Sequence, residues 1–273
     1  MIILEMLSYP FLARAMLVGV LVSLCSALLG TPLVLKRYSM IGDGLSHVGF
    51  GALAIASAFG WAPLAVAVPV VVVSAVVLLR VSQSRSAIKG DAAVALISSG
   101  ALAVGVLVIS LTSGVNTNVS NYMFGSILTV SRSDAALSVI LCAAVLVSFT
   151  LFYPRLFAVT FDETFARATG AGAGIYNTLL AVLTAVTVVL GMRMMGALLI
   201  SSLIIFPPLA AMRVFRSFKS VTVCSAVLSV VCFVTGMTAS YALETPSGAS
   251  VVCADILAFA AFALVGRVRD GRK

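Results

Sequence analysis

Long apolar runs limit the folds open to this chain more than any other feature. Nine stretches, near 11–35, 44–60, 62–79, 92–113, 134–153, 171–190, 194–212, 220–243 and 249–266, carry almost no charge. About 20 mostly apolar residues suffice for a helix to cross a bilayer. Only 10% of the 273 residues are charged, against about 25% in soluble domains, so a water-soluble core is excluded. The expected fold is all-α: a polytopic transmembrane helix bundle of about eight to nine spans, forming one domain over residues 1–273. The second stretch is rich in small residues, including Gly49, Gly51, Ala52 and Ala54, which let helices approach closely in lipid.

The net charge of +8 is distributed by topology. Fourteen of the seventeen Lys and Arg residues, from Lys36 and Arg37 to Arg272 and Lys273, fall in one set of alternate loops and the tail, leaving Arg14, Arg132 and Arg193. The positive-inside rule then puts the N-terminus outside and the C-terminus in the cytoplasm, with no need for a nucleic-acid partner. The five cysteines lie inside spans with no CxxC spacing, so they read as small apolar residues rather than disulfides or a zinc site. An acidic flank at Glu5 and no cleavage pattern argue against a cleaved signal.

Two connections stand out. Residues 117–133 include an apolar run too short to span, which reads as a re-entrant or interfacial segment. Between Pro154 and Gly174, Thr160 and Glu163 have capping-box spacing, Phe161 and Phe165 share a face, and Gly170 supplies a stop. This predicts a short amphipathic helix of two to three turns on the cytoplasmic side, either lying on lipid or docking a cytoplasmic protein. Pro207 and Pro208 mark a break or kink in the seventh span.

The chemistry-bearing candidates are few. Asp43 and the sole histidine, His47, stand four residues apart and so share a helix face. A carboxylate with an imidazole suits divalent transition metals, and ionisable groups in lipid cost enough to need a reason. The bland alternative makes Asp43 a helix N-cap and His47 a packing residue. Asp255, a lone acid in the last span, reads as structural, pairing with an arginine such as Arg193; Met192, Met194 and Met195 read as packing. No GxxxxGK[ST] loop and no nucleophile–base set occurs, so the chain is not expected to be an enzyme.

Five segments, in order, resemble the membrane permease subunit of ATP-binding-cassette importers for zinc and manganese. They are Leu33–His47 (LVLKRYSMIGDGLSH), Tyr122–Leu128 (YMFGSIL), Phe161–Gly170 (FDETFARATG), Gly196–Pro207 (GALLISSLIIFP) and Thr245–Gly248 (TPSG). The chain departs from the family pattern at Gly44, usually Ala, and at Val48-Gly49-Phe50-Gly51, usually AxLPG. The resemblance implies a multi-pass protein of the bacterial cytoplasmic (inner) membrane, paired with a second copy or a sibling permease and served by cytoplasmic ATPase subunits and an extracytoplasmic metal-binding protein. Asp43 and His47 would contact the ion in transit, while Asp162, Glu163, Phe165, Ala166, Arg167 and Gly170 would form the coupling helix that docks the ATPase. No permanent cofactor is implied. The cargo would be Zn2+ or Mn2+, with zinc favoured by ligand type and iron also possible. The rival readings are a permease for siderophores or vitamins and a secondary carrier driven by an ion gradient.

Overall fold

A computed structural model describes residues 6, 8–83, 90–112, 132–170 and 172–270. Among these the chain forms eleven helices and no strand: α1 Pro10–Leu35, α2 Ile41–Ala58, α3 Pro63–Gln83, α4 Gly90–Leu111, α5 Arg132–Leu151, α6 Tyr153–Phe161, α7 Glu163–Ala168, α8 Ala173–Met195, α9 Ala197–Val214, α10 Phe218–Leu243 and α11 Ser247–Asp270. The all-α bundle read from the sequence is therefore the fold. The expected segment at 117–133 lies largely in residues 113–131, outside the described residues, as does the YMFGSIL run.

Seven helices are long and apolar enough to span a membrane, or eight if α5 and α6, bent by 68° to each other, count as one. The helix left out is α2, read above as the second of nine spans. Asp43, His47 and its many small residues lower its hydropathy, and α2 is instead enclosed by protein. Val94 and Ala101 of α4, Met192 of α8 and Ile204 of α9 all pack on its glycines. α1 and α8 are likewise mostly buried, whereas α4 and α11 turn most of their surface outward.

Polar groups in these spans are satisfied locally or across helices. Ser26, Thr31, Thr184 and Thr187 donate to the carbonyl four residues back, the usual refuge for a hydroxyl in a helix. Ser229 Oγ donates to Ser23 O at 2.9 Å and Ser225 Oγ to Ala27 O at 3.4 Å, tying α10 to α1. The five cysteines are free thiols.

Of the break or kink expected at Pro207-Pro208, a break does not occur. α9 runs through both prolines, and the interruption falls at Gly196, whose φ of 91° needs a residue without Cβ. Pro208 lacks an N–H, which frees the carbonyl of Ile204. That oxygen lies against Gly30 of α1, where a built Cβ would sit only 2.1 Å away, so a glycine there absorbs the proline's consequence.

Contacts with α1 order the depths. Along α8, Asn177 meets Lys36, Gly191 meets Val22 and Met195 meets Gly19; along α9, Ile204 is back at Gly30. α8 and α9 thus form a V whose tip lies inside the bundle, roughly 14 Å short of α1's first turn at 1.5 Å per residue. Gly42 of α2 also packs on Ile204, so α2 starts roughly 8 Å inside the other end of α1. That end gathers Lys36, Arg155, Arg167, Arg213 and Arg269.

Candidate functional site

Asp43 and His47 sit inside α2, which starts at Ile41 behind Met40, a residue with no side-chain cap. Asp43 is therefore not the N-cap; it occupies the first turn, where the helix dipole favours a carboxylate. From Ile41 to Ala54 every residue is buried except these two. Their side chains are 41% and 24% exposed, with His47 Nε2 3.7 Å from Asp43 Oδ2. An otherwise enclosed helix thus opens along one strip, and an acid and an imidazole fill it.

α9 completes this strip. Ser201 Oγ lies 3.2 Å from Asp43 Oδ1 and also donates within reach of Ala197 O at 3.1 Å, so its hydroxyl orients the carboxylate from five residues past the Gly196 turn. Close packing holds the register. A Cβ on Gly44 would lie 2.5 Å from Val94 Cγ1, and one on Gly51 2.7 Å from Ala101 O. The departure from Ala at position 44 is matched by a valine leaning into the space.

Among the described residues no three of His, Cys, Asp and Glu gather closely enough to enclose a metal ion. Asp43, His47 and the Ser201 hydroxyl bring two strong donor side chains and a hydroxyl together. Asp255 belongs elsewhere: it is 1% exposed on α11 and accepts from Ser202 Oγ at 3.1 Å, with Oδ1 unpartnered. The adjacent Ser201 and Ser202, about 100° apart around α9, therefore serve two acids on different helices, Asp43 of α2 and Asp255 of α11. Met192 and Met195 are buried packing residues.

The predicted amphipathic helix is two pieces, α6 and the six-residue α7, shorter than the two to three turns expected. The cap of α7 is Asp162, whose Oδ1 accepts from Phe165 N at 2.8 Å; Thr160 instead donates to Leu156 O, so the Thr160–Glu163 box does not form. Gly170 ends the segment in a left-handed conformation, φ 78°, as its position suggested. Phe161 and Phe165 are 59% and 65% exposed. Arg167 faces outward, while Ala166 is buried against the bundle.

Glu163 faces inward and holds the segment in place. Its Oε1 accepts from Arg167 at 2.5 Å, and Oε2 lies 3.5 Å from Lys36 Nζ. Lys36 also donates to Asn177 Oδ1 of α8. Burial lowers the Lys36 ammonium's pKa, and the Glu163 charge opposes this. For Glu163, burial pushes upward, but hydrogen bonds with Asn177 and Arg167 and the Lys36 charge win, leaving its carboxyl below the ordinary range. Ser201, Lys36 and Asn177 were missed as site residues. Each is a polar side chain in or beside an apolar run, which is the signal that could have raised them.

The match to a family of known proteins is extensive. The model of the ABC 3 transport family matches residues 8–265. The "manganese transport system membrane protein MntC" of Halalkalibacterium halodurans is 28% identical over 91% of this chain and 85% of its own length. The "high-affinity zinc uptake system membrane protein ZnuB" of Haemophilus influenzae is 28% identical, covering 92% and 96%. Among solved structures, PsaBC from Streptococcus pneumoniae, in complex with a Fab, aligns with a TM-score of 0.83 at 27% identity, over 97% of this chain and 94% of that one. With this fold and this match along nearly its whole length, the chain is a multi-pass membrane protein belonging to the ABC 3 transport family.

Proposed function

We propose that this chain is the permease subunit of an ATP-binding-cassette importer that carries a divalent transition metal, manganese, zinc or iron, into the cytoplasm. The observation that carries the reading is the strip on α2, where Asp43 and His47 alone break the enclosed stretch from Ile41 to Ala54. A carboxylate and a neutral imidazole are hard-to-borderline donors, and two per chain leave coordination unfinished. A second copy across a two-fold axis would raise the set to four N/O donors. Four satisfy tetrahedral zinc, and with water they suit an octahedral ion such as manganese. The relatives named for manganese and for zinc agree with a donor set that suits both. The metal is cargo, held firmly enough to enter and loosely enough to leave.

The driving force comes from other chains. A cytoplasmic ATPase docks on the α6–α7 segment through the exposed Phe161, Phe165 and Arg167, and an extracytoplasmic metal-binding protein delivers the ion at the opposite end. The test is reconstitution in proteoliposomes with the cognate ATPase and binding protein. Manganese or zinc uptake that needs ATP and is lost in Asp43→Asn and His47→Ala supports the reading. Uptake by this chain alone under a proton or sodium gradient, or full activity in both variants, refutes it.

A further inference from the structure

The Lys36 ammonium joins three elements at this end of the bundle. It stands one residue past α1, its side chain is 8% exposed, and it reaches Glu163 of α7 and Asn177 of α8. Asn177 is itself buried, and its amide oxygen accepts from the Lys36 ammonium. Burying a charge is costly unless it is paired, which makes this junction specific: α7 can sit here only with Glu163 on Lys36.

Both routes out of the junction end at Asp43. In the first, the chain after Lys36 turns through Arg37, at φ 62°, into a connection closed by Arg37 N to Val34 O, Tyr38 N to Leu33 O and Ile41 N to Tyr38 O. The turn is therefore stiff, and it delivers directly into α2, two residues before Asp43. In the second, Asn177 lies on α8, which leads through the Gly196 turn to Ser201 and its hydrogen bond to Asp43 Oδ1. Coupling between distant sites needs a contiguous network with discrete arrangements, and here one ion pair feeds both arms.

We propose that Lys36, held by Glu163 of α7 and Asn177 of α8, is the positioning residue that transmits movement of the docking helix to the Asp43/His47 strip. This rests on the permease reading above and adds to it the path by which a docked ATPase acts on the site. Lys36 touches no cargo; it sets where α2 begins relative to α7. When α7 is pulled or released, the ion pair carries the shift into the α1–α2 turn, and the carboxylate of Asp43 moves with it.

The experiment measures metal taken up per ATP hydrolysed in proteoliposomes of the complete transporter, alongside its melting temperature. The variants are Lys36→Met, Glu163→Gln and the charge-conserving Lys36→Arg. We expect Lys36→Met to keep hydrolysing ATP while uptake per ATP falls tenfold or more, Glu163→Gln to lose uptake per ATP to a similar extent, and Lys36→Arg to stay within twofold of wild type. Uptake per ATP within twofold of wild type in both neutral variants overturns the proposal. So does a uniform fall in all three variants that tracks melting temperature, since that marks a merely structural lysine. A wild-type protein that ATP does not drive at all would fail the permease reading instead, which keeps the two failures apart.

Discussion

Gly51 and Gly100 offer a matched pair of substitutions that tests how closely α2 is held. Both are helical glycines, Gly51 on α2 against α4 and Gly100 on the exposed side of α4, and replacing either with alanine removes the backbone freedom that makes glycine unfavourable in a helix, a gain of about 1 kcal/mol. Their surroundings differ. A Cβ on Gly100 meets nothing within 4 Å, whereas one on Gly51 lands 2.7 Å from the backbone oxygen of Ala101. Ordinary contact begins at 3.4 Å, so α4 must retreat by about 0.7 Å, and backbone does not swing aside as a flexible side chain would. Overpacking of this size costs about 1–3 kcal/mol, which exceeds the propensity gain at Gly51 and is absent at Gly100. Gly51 lies one turn beyond His47, so the same shift tilts the Asp43/His47 strip. With a mid-range net cost of about 1 kcal/mol after the propensity gain, Gly51→Ala should lower the melting temperature by about 2–4 °C and should slow metal uptake. Gly100→Ala should match or exceed wild type in both assays. Equal effects of the two substitutions, or a fully tolerated Gly51→Ala, would refute the close α2–α4 packing.

Other outcomes follow from the docking segment and the strip. Phe165→Ala removes an exposed ring, so melting should change by no more than about 0.5 kcal/mol while ATPase co-purification and ATP-driven uptake fall; unchanged co-purification counts against docking through α7. The pH response of Glu163 has a definite sign. Its carboxyl is held below the ordinary glutamate range, so the stabilisation it supplies is complete above that range and disappears as pH falls through the folded value. Thermal stability should therefore be insensitive to this group near neutrality, and on acidification below about pH 4.5 wild type should lose more than Glu163→Gln. Ser201→Ala should weaken uptake less than His47→Ala, since it only orients Asp43; equal losses in a metal-binding titration would make the hydroxyl a ligand in its own right.

Much of the fold was legible because lipid leaves an apolar run few options. The expected last span at 249–266 falls within α11, Ser247–Asp270, and the four-residue spacing did place Asp43 and His47 on one face. What escaped were features decided by contacts between distant segments. The burial of α2 depends on α3, α4, α8 and α9 wrapping it, which hydropathy along a single segment does not register. The proline pair promised a break because its local chemistry disfavours a helix, yet Gly30 of α1 accommodates the freed carbonyl and α9 continues. At α7, two acceptors competed for the cap, and the side chain one residue before the helix prevailed over the box spacing. Lys36 and Glu163 are 127 residues apart in the chain, beyond any periodicity argument. Ser201 looked like one more small residue until the α8–α9 turn brought it to Asp43.

The most direct test of the account is the position of a bound ion in the assembled permease, located by anomalous scattering at the zinc edge. The account predicts a peak about 2.0–2.2 Å from an Asp43 carboxylate oxygen and from His47 Nε2, repeated or shared across a two-fold axis. A peak at other residues, with Asp43 and His47 turned toward lipid, would contradict it.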